Sequence, residues 1–135
     1  EFKARFVPEM VADFERVSAR LRDRAAQIAD ARPQARFLGQ QPEPRAGLRA
    51  GHMPGAFNLP FTQLLSDGRM KPVDELKAEF AAAGIDTSKP VITTCGSGVT
   101  AAVLALALEI AGARDVALYD GSWAEWGGRE DTPVE

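Results

Sequence analysis

One sulfur nucleophile stands out in this chain. Cys95 is the only cysteine, and it sits between the β-branched run Val91-Ile92-Thr93-Thr94 and the loop Gly96-Ser97-Gly98-Val99-Thr100-Ala101. A strand that ends at a thiol, then a glycine turn, then a helical segment puts the sulfur inside a ring of backbone N–H groups at a helix N-terminus. Such a ring favours an anion. A cysteine held there is biased toward thiolate, the reactive form. Gly96 and Gly98 allow positive φ and tight closure, and Ser97 and Thr100 add hydroxyl donors. Position 101 is alanine. A cysteine phosphatase of the C-x₅-R type needs arginine there for a bidentate grip on phosphate. The loop is therefore sized for a smaller anionic group, such as the terminal sulfur of a persulfide. The competing reading is a small, inert, buried cysteine at a strand end. The Gly-Ser-Gly sequel and the apolar helix behind it weigh against that reading.

The elements that must hold Cys95 can be read from pattern. Met10, Val11, Phe14, Val17 and Leu21 have helical spacing after Pro8. Gln27 to Asp30 is a candidate strand. Residues 33 to 55 hold four prolines, four glycines and scattered arginines, and read as a long loop of the kind that often carries function. Ala56 to Leu59 predicts a short strand, and Phe61 to Leu65 a brief helix ended near Asp67-Gly68. Pro72 to Ala83 predicts a helix with Asp74 and Glu75 in its first turn and Gly84 after its end. Val91 to Thr94 predicts a buried strand. Val99 to Ala111 is apolar on nearly every face, which predicts a largely buried helix stopped by Gly112. Val116 to Tyr119 predicts a last strand, followed by a turn or short helix over Gly121 to Gly127. Strands alternate with helices, so the fold class is α/β with a mainly parallel central sheet flanked by helices. In such sheets ligands sit beyond the carboxyl ends of strands, and Cys95 lies at one.

Composition narrows the function classes. At 135 residues, the chain suits one domain over residues 1–135. A net charge of −3 does not support nucleic-acid binding. The single cysteine excludes an internal disulfide framework and fits a reducing, cytoplasmic setting. With one cysteine and one histidine, no metal site and no resident cofactor are expected. The longest apolar run, Ala101 to Leu108, is too short to cross a bilayer. The chain begins at Glu1 without methionine, so a piece of something longer is expected.

Five segments, in order, resemble the rhodanese superfamily, and in particular its 3-mercaptopyruvate sulfurtransferases. Cys95 to Ala101 resembles their active-site loop. Asp30-Ala31-Arg32 resembles their strand-end D-x-R. Arg36-Phe37-Leu38-Gly39 with Pro42-Glu43-Pro44-Arg45 resembles the loop of the two-domain members. Gly51-His52-Met53-Pro54-Gly55-Ala56 with Asn58-Leu59-Pro60-Phe61 resembles their G-H-I-P-G-A signature. Tyr119 to Trp126 resembles the segment after the last strand.

The resemblance implies a rhodanese-like fold and a ping-pong sulfur transfer. Cys95 takes sulfur from the small-molecule donor 3-mercaptopyruvate, releases pyruvate, and passes the sulfur to cyanide or to a thiol such as thioredoxin. It implies Cys95 and Ser97 as catalytic residues. Arg36, Arg45, Gly96, Gly98, Val99 and Thr100 are implied as substrate-binding residues. It also implies a preceding rhodanese-like domain as partner, which supplies a histidine and an acid to the pocket, so that this chain alone is weakly active. The lack of basic residues in the Cys loop favours mercaptopyruvate over thiosulfate. Thiosulfate sulfurtransferase and a non-catalytic rhodanese-like binding or regulatory module are the alternatives, with a phosphatase or arsenate reductase disfavoured by Ala101. Bland readings stay open beside these. Arg36 and Arg45 are otherwise solvated surface charge, and Ser97 is otherwise a helix cap. His52 holds a turn, Asp30 and Arg32 pair structurally, and Trp123 and Trp126 belong to the core. Glu9, Asp13 and Glu15 line a solvated helix face.

Overall fold

A computed structural model describes all 135 residues. Five parallel strands form one sheet: β1 (Val11–Ala12), β2 (Gln27–Asp30), β3 (Phe57–Asn58), β6 (Val91–Thr94) and β7 (Val116–Tyr119), in the spatial order β1-β7-β6-β2-β3. A small antiparallel hairpin joins β4 (Leu65–Ser66) to β5 (Arg69–Met70). Helices are α1 (Phe14–Asp23), α2 (Gln34–Phe37), α3 (Val73–Ala82), α4 (Ala101–Ile110) and α5 (Ser122–Trp126). The α/β expectation with a parallel sheet holds.

Both faces of the sheet are covered, because β2, β6 and β7 are apolar on both sides. On one face Leu76 and Phe80 of α3 pack with Leu104, Ala107 and Leu108 of α4 over Ala29 and Val91. On the other, Val17 of α1 packs with Trp123 and Trp126 of α5 over Ile28, Ile92 and Ala117. Each fully buried leucine or valine contributes roughly 1.5–3 kcal/mol. The tryptophans are core residues, at 1% exposure each.

Register fixes where the chemistry lies. Asp30 pairs with Thr94, and Thr93 with Leu118. The segments that follow β2, β6 and β7 therefore leave the sheet side by side at its carboxyl edge.

Four expectations need correction. The single helix read from Met10 is divided: Pro8–Met10 is one 3-10 turn, Val11 and Ala12 pair with Leu118 and Tyr119, and α1 begins only at Phe14. Asp13 is extended, and its carboxylate accepts the Arg16 N–H at 2.8 Å. An open sheet edge and a good N-cap outweigh helical spacing there, so Asp13 is a cap as well as a surface charge. Helix α4 is less buried than its composition implies, since Leu106 is 53% and Ile110 40% exposed. The brief helix after Phe61 is a 3-10 turn over Phe61–Leu64 that gives way to the β4–β5 hairpin. Its turn has Asp67 at φ 51° and Gly68 at φ 73°, the paired left-handed geometry of a two-residue hairpin. Finally, the long loop contains α2, which carries Arg36. No helix is long and apolar enough to cross a membrane.

Candidate active site

The loop after β6 closes around Cys95. The thiol is 1% exposed, yet it lines the floor of a cleft of about 230 Å³. Gly98 sits at φ 91°, a conformation that suits glycine. This turns its N–H onto the Cys95 Sγ at 3.1 Å. A Cβ at Gly98 would meet the Asp120 carbonyl oxygen at 2.7 Å, so the cradle also needs glycine for space. Burial pushes the Cys95 thiol up, but the Thr100 hydroxyl and the N–H groups of Ala101, Ser97 and Gly98 outweigh it. The thiol therefore lies below its ordinary range. The N-terminus of α4 adds its dipole in the same direction.

The base of the loop is tied to the segment after β7. The Cys95 N–H donates to the Ser122 Oγ at 3.2 Å, and the Ser122 hydroxyl donates to the Tyr119 carbonyl at 2.8 Å. Trp123 and Ala124 N–H groups donate to the carbonyls of Cys95 and Gly96, both at 2.9 Å. Ser122 is fully buried at φ 51°, a left-handed conformation unusual for serine. The Ser122 hydroxyl lies 4.0 Å from the sulfur.

The opposite wall is built of charge. Arg32 is 1% exposed and forks onto Asp30, with Nη2 at 2.8 Å from Oδ2 and Nε at 3.1 Å from both oxygens. Its guanidinium lies 4.4 Å from the Trp123 ring centre. Its Nη1 donates to Glu43 at 3.1 Å. Glu43 in turn accepts from Arg36, at 2.7 Å from Nε and 3.1 Å from Nη2. The side chain of Glu43 is 1% exposed and that of Arg36 is 22% exposed. Burial pushes the Glu43 carboxyl up, but the hydrogen bond from Arg36 and the charges of Arg32 and Arg36 carry it below the carboxylate range. The hydrogen bond to Glu43 raises Arg36 further.

The two walls meet at Gly96, where a Cβ would stand 2.9 Å from Arg36 Nη2. Arg45 is exposed at the lip and has no carboxylate partner. Pro44, Leu48 and Val99 supply the apolar lining.

The cleft thus gathers Cys95, Gly96, Ser97, Val99, Thr100, Arg36 and Arg45. Gly98 stands behind the sulfur. Ser97 is exposed and does not cap α4: Thr100 occupies the cap position, without a side-chain bond to the helix. His52 lies outside the cleft. Its Nδ1 is 2.8 Å from the Phe37 carbonyl oxygen and its ring stacks on Phe37 at 3.8 Å, which ties the two ends of the long loop together. No group of three or more His, Cys, Asp or Glu side chains gathers as a metal site.

Two residues escaped the sequence reading. Glu43 was visible only as part of Pro-Glu-Pro-Arg, with nothing to say that it would be buried between two arginines. Ser122 lies three residues past the end of β7, and the rule that sites form at carboxyl ends could have flagged it.

Residues 13–129 match the Rhodanese-like domain family, and the chain belongs to it. Among curated proteins it is 52% identical over 135 residues to 3-mercaptopyruvate sulfurtransferase of Escherichia coli K12, covering all of this chain and 48% of that protein. It is 46% identical over 127 residues to thiosulfate sulfurtransferase of Bos taurus, covering 93% of this chain and 43% of that protein. The crystal structure of SseA from Escherichia coli, a 3-mercaptopyruvate sulfotransferase with the "Rhodanese" fold, superposes with a TM-score of 0.77 at 48% identity. The match covers 91% of this chain and 45% of that one. The chain spans about half the length of the curated relatives it matches.

Proposed function

We propose that this chain carries the sulfur-accepting site of a 3-mercaptopyruvate sulfurtransferase. The observation that supports this best is the Cys95 thiol, lowered by converging N–H groups and facing a cleft that holds Arg36 and Arg45. The Cys95 thiolate attacks the donor sulfur. The donor C–S bond breaks, and its electron pair leaves on carbon as the enolate of pyruvate, which takes a proton to give pyruvate. Cys95 is left as a persulfide. An acceptor thiol, thioredoxin-like in chemistry, or cyanide then removes the outer sulfur and restores the cysteine, a ping-pong cycle. Converging donors at the sulfur act as an oxyanion hole does for oxygen. Arg45 and Arg36 are assigned to the donor's carboxylate and carbonyl, since a planar guanidinium suits both. Ser97, exposed in the same cleft, is assigned to pass the proton.

The relatives' names include both donors. The choice of mercaptopyruvate rests on the uncharged loop from Gly96 to Thr100, which offers no side-chain cation to a doubly charged donor. A preceding rhodanese-like domain is the proposed partner, seated over the cleft mouth beside Val99, which is 72% exposed. A reducing compartment such as the cytoplasm suits the free thiol.

Mass spectrometry after incubation with 3-mercaptopyruvate tests the reading. One added sulfur is expected on the wild type and none on Cys95→Ser. Absence of uptake, or release of phosphate from aryl phosphates, would overturn it. Turnover by the 135-residue chain at a rate typical of intact two-domain enzymes would overturn the partner assignment.

A further inference from the structure

The charged wall is electrically closed. Asp30 and Glu43 face Arg32 and Arg36, two carboxylates against two guanidiniums, through hydrogen bonds of 2.7–3.1 Å. Arg36 uses both Nε and Nη2 on Glu43, and its Nη2 is the atom that packs against Gly96. So the cation nearest the cysteine loop is held by the carboxylate that cancels it. Arg45 is left as the one side-chain cation in the cleft without a carboxylate partner. A burial of 99% for a carboxylate is costly unless its partners are well placed. Glu43 accepts three such bonds.

We propose that Glu43 is a positioning and specificity-determining residue: it fixes Arg36 over the cysteine loop and cancels its charge, so that the cleft selects a singly charged sulfur donor over a doubly charged one. This rests on the sulfurtransferase reading. 3-Mercaptopyruvate brings one carboxylate, which Arg45 matches. Thiosulfate brings two negative charges, for which a cleft with one free cation offers half the compensation.

The variant Glu43→Gln keeps the size and one acceptor oxygen but frees the charge of Arg36. The other charged groups around the sulfur stay in place: Arg45 at the lip, Arg32 with Asp30 behind Glu43, and Asp120 behind Gly98. An unneutralised cation near the sulfur favours thiolate. The pH profile of Cys95 alkylation by iodoacetamide is therefore expected to move to lower pH. Single-turnover sulfur uptake, read by mass spectrometry, is expected to shift about fivefold in favour of thiosulfate relative to 3-mercaptopyruvate, the size of one charge interaction at about 4 Å in water. Glu43→Asp is expected to return both readouts toward wild type, and the double variant Arg36→Gln/Glu43→Gln is expected to return the alkylation profile toward wild type. A purely structural Glu43 predicts the opposite sign: Arg36 leaves the loop, the thiol profile moves to higher pH, and both donors lose together. That outcome, or an unmoved profile, overturns the proposal. If the wild type takes sulfur from neither donor, the sulfurtransferase reading and the donor preference fall together. The alkylation profiles then judge only whether Glu43 cancels Arg36.

Discussion

The Cys95 wall of the cleft is made of main-chain N–H groups and the Thr100 hydroxyl, whereas the wall facing it is made of guanidiniums held by buried carboxylates. The first is set by backbone conformation at a few adjacent residues, above all Gly98 at φ 91°. Its main-chain donors need no ion-pair partner to aim them. The second is set by ion pairs among Asp30, Arg32, Arg36 and Glu43, which hold only while all four are in place. The backbone wall costs little to preorganise and suits the reacting sulfur. The ionic wall carries a desolvation penalty but presents a rigid fork, which suits recognition of a planar anion. Division of labour follows: reactivity on one wall, donor choice on the other.

Substitutions can break this contrast. The largest effect on stability is expected from Asp30→Ala, which leaves the Arg32 guanidinium buried without its main partner. A loss of roughly 3–5 kcal/mol is expected in urea unfolding. Gly98→Ala is expected next. A positive φ and a clash with the Asp120 carbonyl should cost about 1–3 kcal/mol and slow Cys95 alkylation at neutral pH. Arg45→Ala should leave the unfolding midpoint unchanged and raise the mercaptopyruvate KM roughly tenfold to a hundredfold, the value of a charge-assisted contact. If Arg45→Ala instead slowed alkylation while Gly98→Ala did not, the two walls would have been assigned the wrong way round.

The subtlest test concerns pH. Thr100→Val removes the hydroxyl that most strongly opposes burial at the thiol, so the alkylation profile should move to higher pH without loss of fold. The sign for stability follows from the same shift. The folded thiol lies below its unfolded value, so thiolate formation stabilises the fold above the unfolded pKa. That contribution fades as pH falls through the folded pKa. In Thr100→Val, the alkaline contribution should shrink, as thermal unfolding at high and neutral pH would show.

Much of the fold was legible because its elements carry local signals. Pro72 with Asp74 and Glu75, the β-branched Val91 to Thr94, and Gly112 after α4 each act within a few residues. The edge strand Val11–Ala12 was not legible. Nothing at those two residues distinguishes a strand from the first turn of an amphipathic helix until β7 offers an edge to pair with. The exposure of Leu106 and Ile110 was hidden for a related reason: composition shows that a helix is apolar, but packing decides how many of its faces find a neighbour.

By itself the sequence determined the thiol cradle. Strand, cysteine, glycine turn and helix are contiguous from Val91 to Ala101, and main-chain donors are aimed by local φ and ψ. Only the tertiary structure decided how three arginines from one stretch divide their work: Arg32 buried on Asp30, Arg36 laid over Gly96, Arg45 left free. It alone brought Ser122 under the Cys95 N–H and closed Glu43 between two guanidiniums. The Ser122 contact depends on which segments leave the same edge of the sheet, fixed by the register of β6 and β7, whereas the Glu43 contacts depend on how the segment after β2 folds back on itself.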